Sequence, residues 1–325
     1  MTIIHSDLHQ PAKGHMILPA ITSSLRNYWT NAERYQKFLY VCGGRLLLSA
    51  FFHTGVLIVT GGSLQGDVSW RKPIIFGEAF GVTCLSLAWV MTFLAKRQVL
   101  SWILVFIFGV ASIGEVFLIT MQQWRGVPSH FNTSTPFDAT VYGLMGQFVI
   151  LVEIVIVVMT IWTFISMDAP NSLKWSIRAG MLLLVAALFF GNLITQNGSN
   201  TFGEAGAMKI PHALSLHALQ ILPLMAWLML LTDSSPNRRA WTVTLGTVGY
   251  IGIVAVSAFQ AFNGIAPFDL STGSGLLLGI SLTAFAIASI MIFLSLLVKR
   301  RSVNEDDFPP RPKPEDSASA LRSTP

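Results

Sequence analysis

The stretch Lys209 to Met229, KIPHALSLHALQILPLMAWLM, is apolar enough to cross a bilayer, yet it carries His212, His217 and Gln220, which crossing does not require. At about 1.5 Å of rise per residue, about 20 apolar residues span the roughly 30 Å of hydrocarbon. Ionisable side chains in such a span are costly and by default face the protein interior, where they mark a site. The chain is therefore read in membrane spans, and function is sought where those spans carry polar groups.

Composition agrees with that reading. Of the 325 residues, 52% are hydrophobic and 11% charged, and the mean hydropathy is +0.59, too apolar for a soluble chain of this size. Eight runs are long enough to cross, at 38–60, 74–95, 99–121, 139–167, 175–196, 212–232, 241–262 and 274–298. None alternates with a two-residue period, so helices are expected and an eight-stranded barrel is disfavoured. Placing the N-terminus in the cytoplasm puts 17 of the 21 basic residues on that side, leaving Arg71, Lys72, Arg125 and Lys209 outside. Both termini are then cytoplasmic. The net charge of +5 follows from this bias, and no basic stretch interleaved with aromatics points to nucleic acid. The bilayer is the expected partner, and the oligomeric state is not legible.

An offset of 138 residues relates two halves of the chain. It carries Pro73 onto Pro211, Ala88-Trp89 onto Ala226-Trp227, Gly114 onto Gly252, Gln122 onto Gln260 and Gly126 onto Gly264. After Val127 the first copy holds an insertion, PSHFNTS, beyond which Pro136-Phe137-Asp138 aligns with Pro267-Phe268-Asp269. The expected fold is an all-α membrane protein of eight transmembrane helices, arranged as two tandem four-helix repeats about a pseudo-twofold axis along the membrane normal. Its parts would be a cytoplasmic segment 1–37, repeats at 38–167 and 168–299, and a disordered cytoplasmic tail 300–325. Ala20 to Gln36, with Tyr28, Trp29 and Tyr35, suits the membrane interface.

Counting inward from the external helix ends puts His53, Glu78, Glu115 and His217 at one level, about 8 to 11 Å below the boundary. Gln220 lies one turn deeper on the His217 face, while His212 is rotated about 140° from His217 and cannot share a ligand with it. Taken singly, a His or Glu near a helix end is more often a structural group bonded to a neighbouring helix. Four from four helices at one level suggest instead a composite site between the halves. There His53 and His217 would be ligands to haem or a transition metal, and Glu115 and Glu78 catalytic proton carriers or orienters of those ligands. Arg71 and Arg125, beside Trp70 and Trp124, read equally as interfacial anchors or as a cationic mouth for an anionic group. Glu153 is deeper and has no partner at its level. His130 lies in the insertion, and Asp138 and Asp269 suit helix caps. Cys42 and Cys84 fall within spans as free thiols. Glycine-rich phosphate loops, serine elbows and CxxC or HExxH patterns are absent, which argues against ATP-driven and serine-elbow enzymes.

Pro211 to Pro223, PHALSLHALQILP, and Gln123 to Asn132, QWRGVPSHFN, resemble motifs of an uncharacterised family of bacterial multi-pass membrane proteins carrying HFxGLHALQxLP-like and WRGxxSHFN-like patterns. The likeness runs over most of the first seven spans and implies the fold and a bacterial inner-membrane location, with no established activity. The eight-helix architecture is also similar to that of the haem A synthase family, which places haem-ligating histidines equivalently in both halves. Here the equivalents of His217 and His212 are Ala79 and Ile74, so those roles do not carry over. Two functions follow as expectations: haem- or metal-dependent redox or cofactor processing, or else a small-molecule or proton-coupled transporter. A non-catalytic assembly or sensor protein is the third reading.

Overall fold

A computed structural model describes residues 17–298; the expected tail 300–325 and the first sixteen residues lie outside the described residues. Among the described residues nine α-helices follow one another: α1 (Ile17–Asn31), α2 (Arg34–Thr60), α3 (Arg71–Val90), α4 (Gln98–Trp124), α5 (Pro136–Ile165), α6 (Asn171–Asn197), α7 (Lys209–Leu230), α8 (Pro236–Phe262) and α9 (Thr272–Val298). Helices α2 to α9 are each long and apolar enough to cross a membrane, so the eight expected spans are all present. The segment from Ala20 to Gln36, expected at the interface, covers most of α1, which is too short to be a span, and the first turn of α2. A two-stranded hairpin, β1 (Thr201–Phe202) with β2 (Gly206–Ala207), lies in the α6–α7 connection.

Helix boundaries follow from local chemistry. At α5, Thr135 is the N-cap, with its hydroxyl accepting from the Asp138 amide at 3.1 Å, and Pro136 stands in the first turn, where a missing amide costs nothing. At α8, Ser235 and Pro236 repeat the arrangement. At α9 the cap is Ser271, which accepts from the Ser274 amide at 3.3 Å, so the cap expected of Asp269 belongs to its neighbour two residues on. Helix α4 ends in Gly126 at φ 70° and α8 in Gly264 at φ 68°, the left-handed conformation that glycine adopts without strain.

Packing runs in the same order through both halves. In the first, α2 packs on α3 and α4, α3 on α4, and α4 on α5; in the second, α6 packs on α7 and α8, α7 on α8, and α8 on α9, with an added α7–α9 contact that α3 and α5 do not match. The halves meet along α3–α7 and α5–α6. At the end of the α3–α7 seam, Tyr28 of α1 takes indole hydrogen bonds from both Trp89 and Trp227, and burial pushes its phenol up to about 12. Midway along the seam, the Gln220 amide oxygen accepts from the Ser86 hydroxyl at 3.1 Å while its nitrogen donates to Leu216 O at 3.2 Å. Cys42 and Cys84 are buried free thiols, as expected.

The α2–α3 contact is backbone against backbone. A Cβ at Gly43 would stand 2.8 Å from the Gly81 carbonyl oxygen and 3.0 Å from Cys84 Cβ. Small residues at such a crossing allow the close approach that stabilises helix pairs in lipid, where no hydrophobic force between helices assists. Neighbouring Gly44 has nothing within 4 Å of its Cβ position. Gly43→Ala should therefore lower the thermal midpoint of the detergent-solubilised protein, by about 1 to 3 kcal/mol of overpacking, whereas Gly44→Ala should leave it unchanged or raise it slightly. Equal effects would contradict the close crossing.

Candidate functional site

His53 sits near the far end of α2, 4% exposed, enclosed by two indoles. Trp70 stacks on it with centroids 5.9 Å apart at 25°, and Trp124 stands edge-on to Trp70 at 5.0 Å. Its Nδ1 donates to Ser49 O at 2.7 Å, and because a carbonyl only accepts, the proton is on Nδ1. Its Nε2 accepts from Trp124 Nε1 at 3.1 Å. Both ring nitrogens are thereby committed inside the first half. A metal could reach His53 only by displacing Trp124.

Glu115 lies on the buried face of α4 with Ser112, Ile119 and Gln122, and is 1% exposed. Its Oε2 has no hydrogen-bond partner, and neither does the Ser112 hydroxyl one turn below. A turn above, Ile119 packs with Val141 and Met145 in a separate apolar cluster to which Phe76 is added. The PSHFNTS insertion closes over this cluster. There His130 stacks against Phe76 at 5.3 Å and bonds Ser129 Oγ at 2.9 Å, while Asn132 donates to Pro128 O at 3.0 Å and accepts from the Ser134 hydroxyl at 2.6 Å. Burial, with Lys72 as the lesser cause, lowers the His130 imidazole to about 4. From the loop inward the order is thus a neutral histidine, an apolar plug and an unpaired carboxyl.

The insertion is held by a polar knot. Asp138, 2% exposed, accepts on Oδ1 from Gln122 Nε2 at 2.9 Å and Arg125 Nη1 at 2.6 Å, and on Oδ2 from Thr135 Oγ1 at 2.7 Å. Arg125 also bonds Gln122 and lies over Phe137 at 4.7 Å. Its Nη1 is thus engaged by Asp138 and Gln122, while the Arg125 side chain as a whole is 39% exposed. Arg71, in the first turn of α3, keeps a buried Nε without a partner.

In the second half, His212 of α7 donates from Nδ1 to Ala187 O at 2.8 Å. Its Nε2 makes no hydrogen bond. His217, half-buried, lies five residues further along the same helix. Glu78 is exposed on α3. No hydrogen bond, ion pair or ring contact links His53, Glu78, Glu115 and His217 to one another, and among the described residues no three His, Cys, Asp or Glu side chains gather to hold a metal ion. Glu153, expected to lack a partner, accepts from Asn192 Nδ2 of α6 at 2.9 Å, which joins α5 to α6. A groove along α8 and α9, lined by Leu245, Gly275, Gly279, Thr283 and Ile287, carries no titratable side chain and suits lipid chains rather than chemistry.

Of the expected residues His53 and Glu115 are both buried, and Trp124, expected as an interfacial indole, is the donor to His53 Nε2. Comparison with protein-family models, curated proteins and solved structures finds no match, so function is read from this geometry alone.

The buried state of His130 has a pH consequence. Its folded value lies below the ordinary 6.5, so between about 6.5 and about 4 the unfolded chain binds the extra proton. Its contribution to stability is present above that window and is lost as pH falls through it. The thermal midpoint should therefore drop on acidification across this range, and His130→Gln should flatten the drop. An unchanged profile in the variant would show that the loop leaves His130 open to water.

Proposed function

We propose that this multi-pass protein couples proton movement to the binding or passage of a small molecule, with Glu115 as the proton-carrying group. The observation that carries the reading is the carboxyl itself: fully enclosed among membrane-spanning helices, with one oxygen lacking any partner. Burying a carboxylate without a cation or donors costs several kcal/mol, so a carboxyl in this setting has reason to be there only if it exchanges a proton or meets a transient partner. Ser112, also unpartnered and one turn away, offers a hydroxyl to the same space.

The basic residues favour both ends in the cytoplasm of a bacterial inner membrane, with the His130 loop and the α6–α7 hairpin outside. Duplication of a four-helix unit is supported by the matching packing order, by the glycines that end α4 and α8, and by the N-cap residues of α3 and α7. Those are Trp70 (φ −59°, ψ −20°) and Met208 (φ −59°, ψ −24°), 138 positions apart. The alternative, a haem or metal centre on His53 and His217, would need His53 to give up the Trp124 bond, and it has no gathered ligand set in its favour.

The test uses proteoliposomes enclosing a pH-sensitive dye, challenged from outside with small amines, carboxylates and polyols in turn. One class should change the lumenal pH with the wild type. Glu115→Gln, an uncharged isostere, should reduce the response to that of empty vesicles while retaining the fold, and Glu115→Asp should keep part of it. A full response in Glu115→Gln would overturn the assignment.

A further inference from the structure

The two halves each hold one imidazole at the same place, brought there by different helices. In the first, His53 of α2 donates to Ser49 O; in the second, His212 of α7 donates to Ala187 O, and those carbonyls are 138 residues apart. The position equivalent to His53 is Gly191, and the missing side chain makes the room: a Cβ there would meet His212 Cε1 at 3.1 Å. Each carbonyl can only accept, so each ring carries its proton on Nδ1 and presents a bare lone pair on Nε2.

What meets that lone pair differs between the halves. His53 Nε2 takes the Trp124 indole N–H at 3.1 Å, with Trp70 stacked on the ring. The equivalents of Trp124 and Trp70 are Phe262 and Met208, neither of which has a side-chain N–H or O–H to give. Phe262 instead packs on Phe190 at 6.2 Å, forming an aromatic surface at the end of α6 and α8, and His212 Nε2 is left without a donor. The first half thus contains, as part of its own chain, the complement that the second half lacks.

We propose that the second half binds, beside Phe190 and Phe262, a membrane-soluble planar molecule that donates a ring O–H or N–H to His212 Nε2, the chemistry of a hydroquinone, phenol or indole. Aromatic walls supply the apolar contact and one fixed acceptor supplies orientation, as small-molecule sites usually do. From the preceding section this takes only the equivalence of positions 138 apart, and it stands or falls independently of Glu115.

A decyl-substituted hydroquinone and its di-O-methyl ether, which keeps the ring and loses the donors, make the probe pair. With full-length protein in nanodiscs, equilibrium binding should be saturable for the hydroquinone and weaker by roughly tenfold for the ether, the worth of one well-placed hydrogen bond. His212→Phe should remove the difference between the two, and Gly44→Ala, whose added methyl meets nothing, should not. Selectively labelled histidine, read by nitrogen NMR, should show the Nε2 resonance of His212 moving on hydroquinone addition while that of His53 stays. A decyl-indole that binds as the hydroquinone does would assign the site to ring donors in general, in support; binding of the hydroquinone alone would narrow it to quinols, also in support. Equal affinity for hydroquinone and ether, or a stoichiometric metal on Nε2 that excludes both, would overturn the proposal.

Discussion

Inside a bilayer there is no water to satisfy a polar group, so each one must find its partner within the protein. Many hydroxyls in these spans turn back on their own helix: Thr83 donates to Ala79 O at 2.7 Å, Thr160 to Ile156 O at 2.7 Å, Ser289 to Phe285 O at 2.8 Å and Ser295 to Met291 O at 2.7 Å. Larger groups reach across to a neighbouring helix. Tyr250 donates to Leu214 O at 2.7 Å, Gln36 to Ala88 O at 2.8 Å and His212 to Ala187 O at 2.8 Å, whereas His53 turns back to Ser49 O of its own helix. Backbone carbonyls, available wherever two helices cross closely, are the common acceptor. Glu115 stands out because it could have been treated in this manner and was not.

The two halves express that constraint unequally. In the first, the insertion after Val127, the Asp138 knot and the two indoles over His53 close the loop-side end of the bundle. The second lacks the insertion and both tryptophans, and its hairpin packs by glycine contacts, with Gly203 and Gly206 against Gly264. One copy is sealed above a carboxyl, and the other presents an acceptor at its edge. The proposals for Glu115 and His212 assign the two halves separate tasks.

How much of this was legible depended on which coordinate a residue's function uses. Height along the membrane normal is linear in sequence, so counting from helix ends found the eight spans and placed Glu115 and His53 well below their boundaries. Azimuth is different: which helix lies opposite a side chain is set by tertiary packing. Trp124 is 71 residues from His53, and Asn192 is 39 from Glu153, so neither pair could be read from local spacing. The four belt residues make no hydrogen bond or ion pair with one another, since residues at one height need not face one another. Asp138 and Asp269 show the same limit at a turn. Both follow Pro-Phe, but only Asp138 has a threonine cap and an arginine within reach.

The most direct measurement is the infrared spectrum of the purified protein, compared with that of Glu115→Gln. A carboxylic acid without a strong hydrogen-bond partner gives a C=O stretch well separated from the amide and carboxylate bands. The account predicts such a band in the wild type, absent from the variant and altered when the transported or bound molecule is added. A wild-type spectrum with no acid band removed by the substitution would mean that Glu115 is an ion held by a partner, and would contradict its role as the proton carrier.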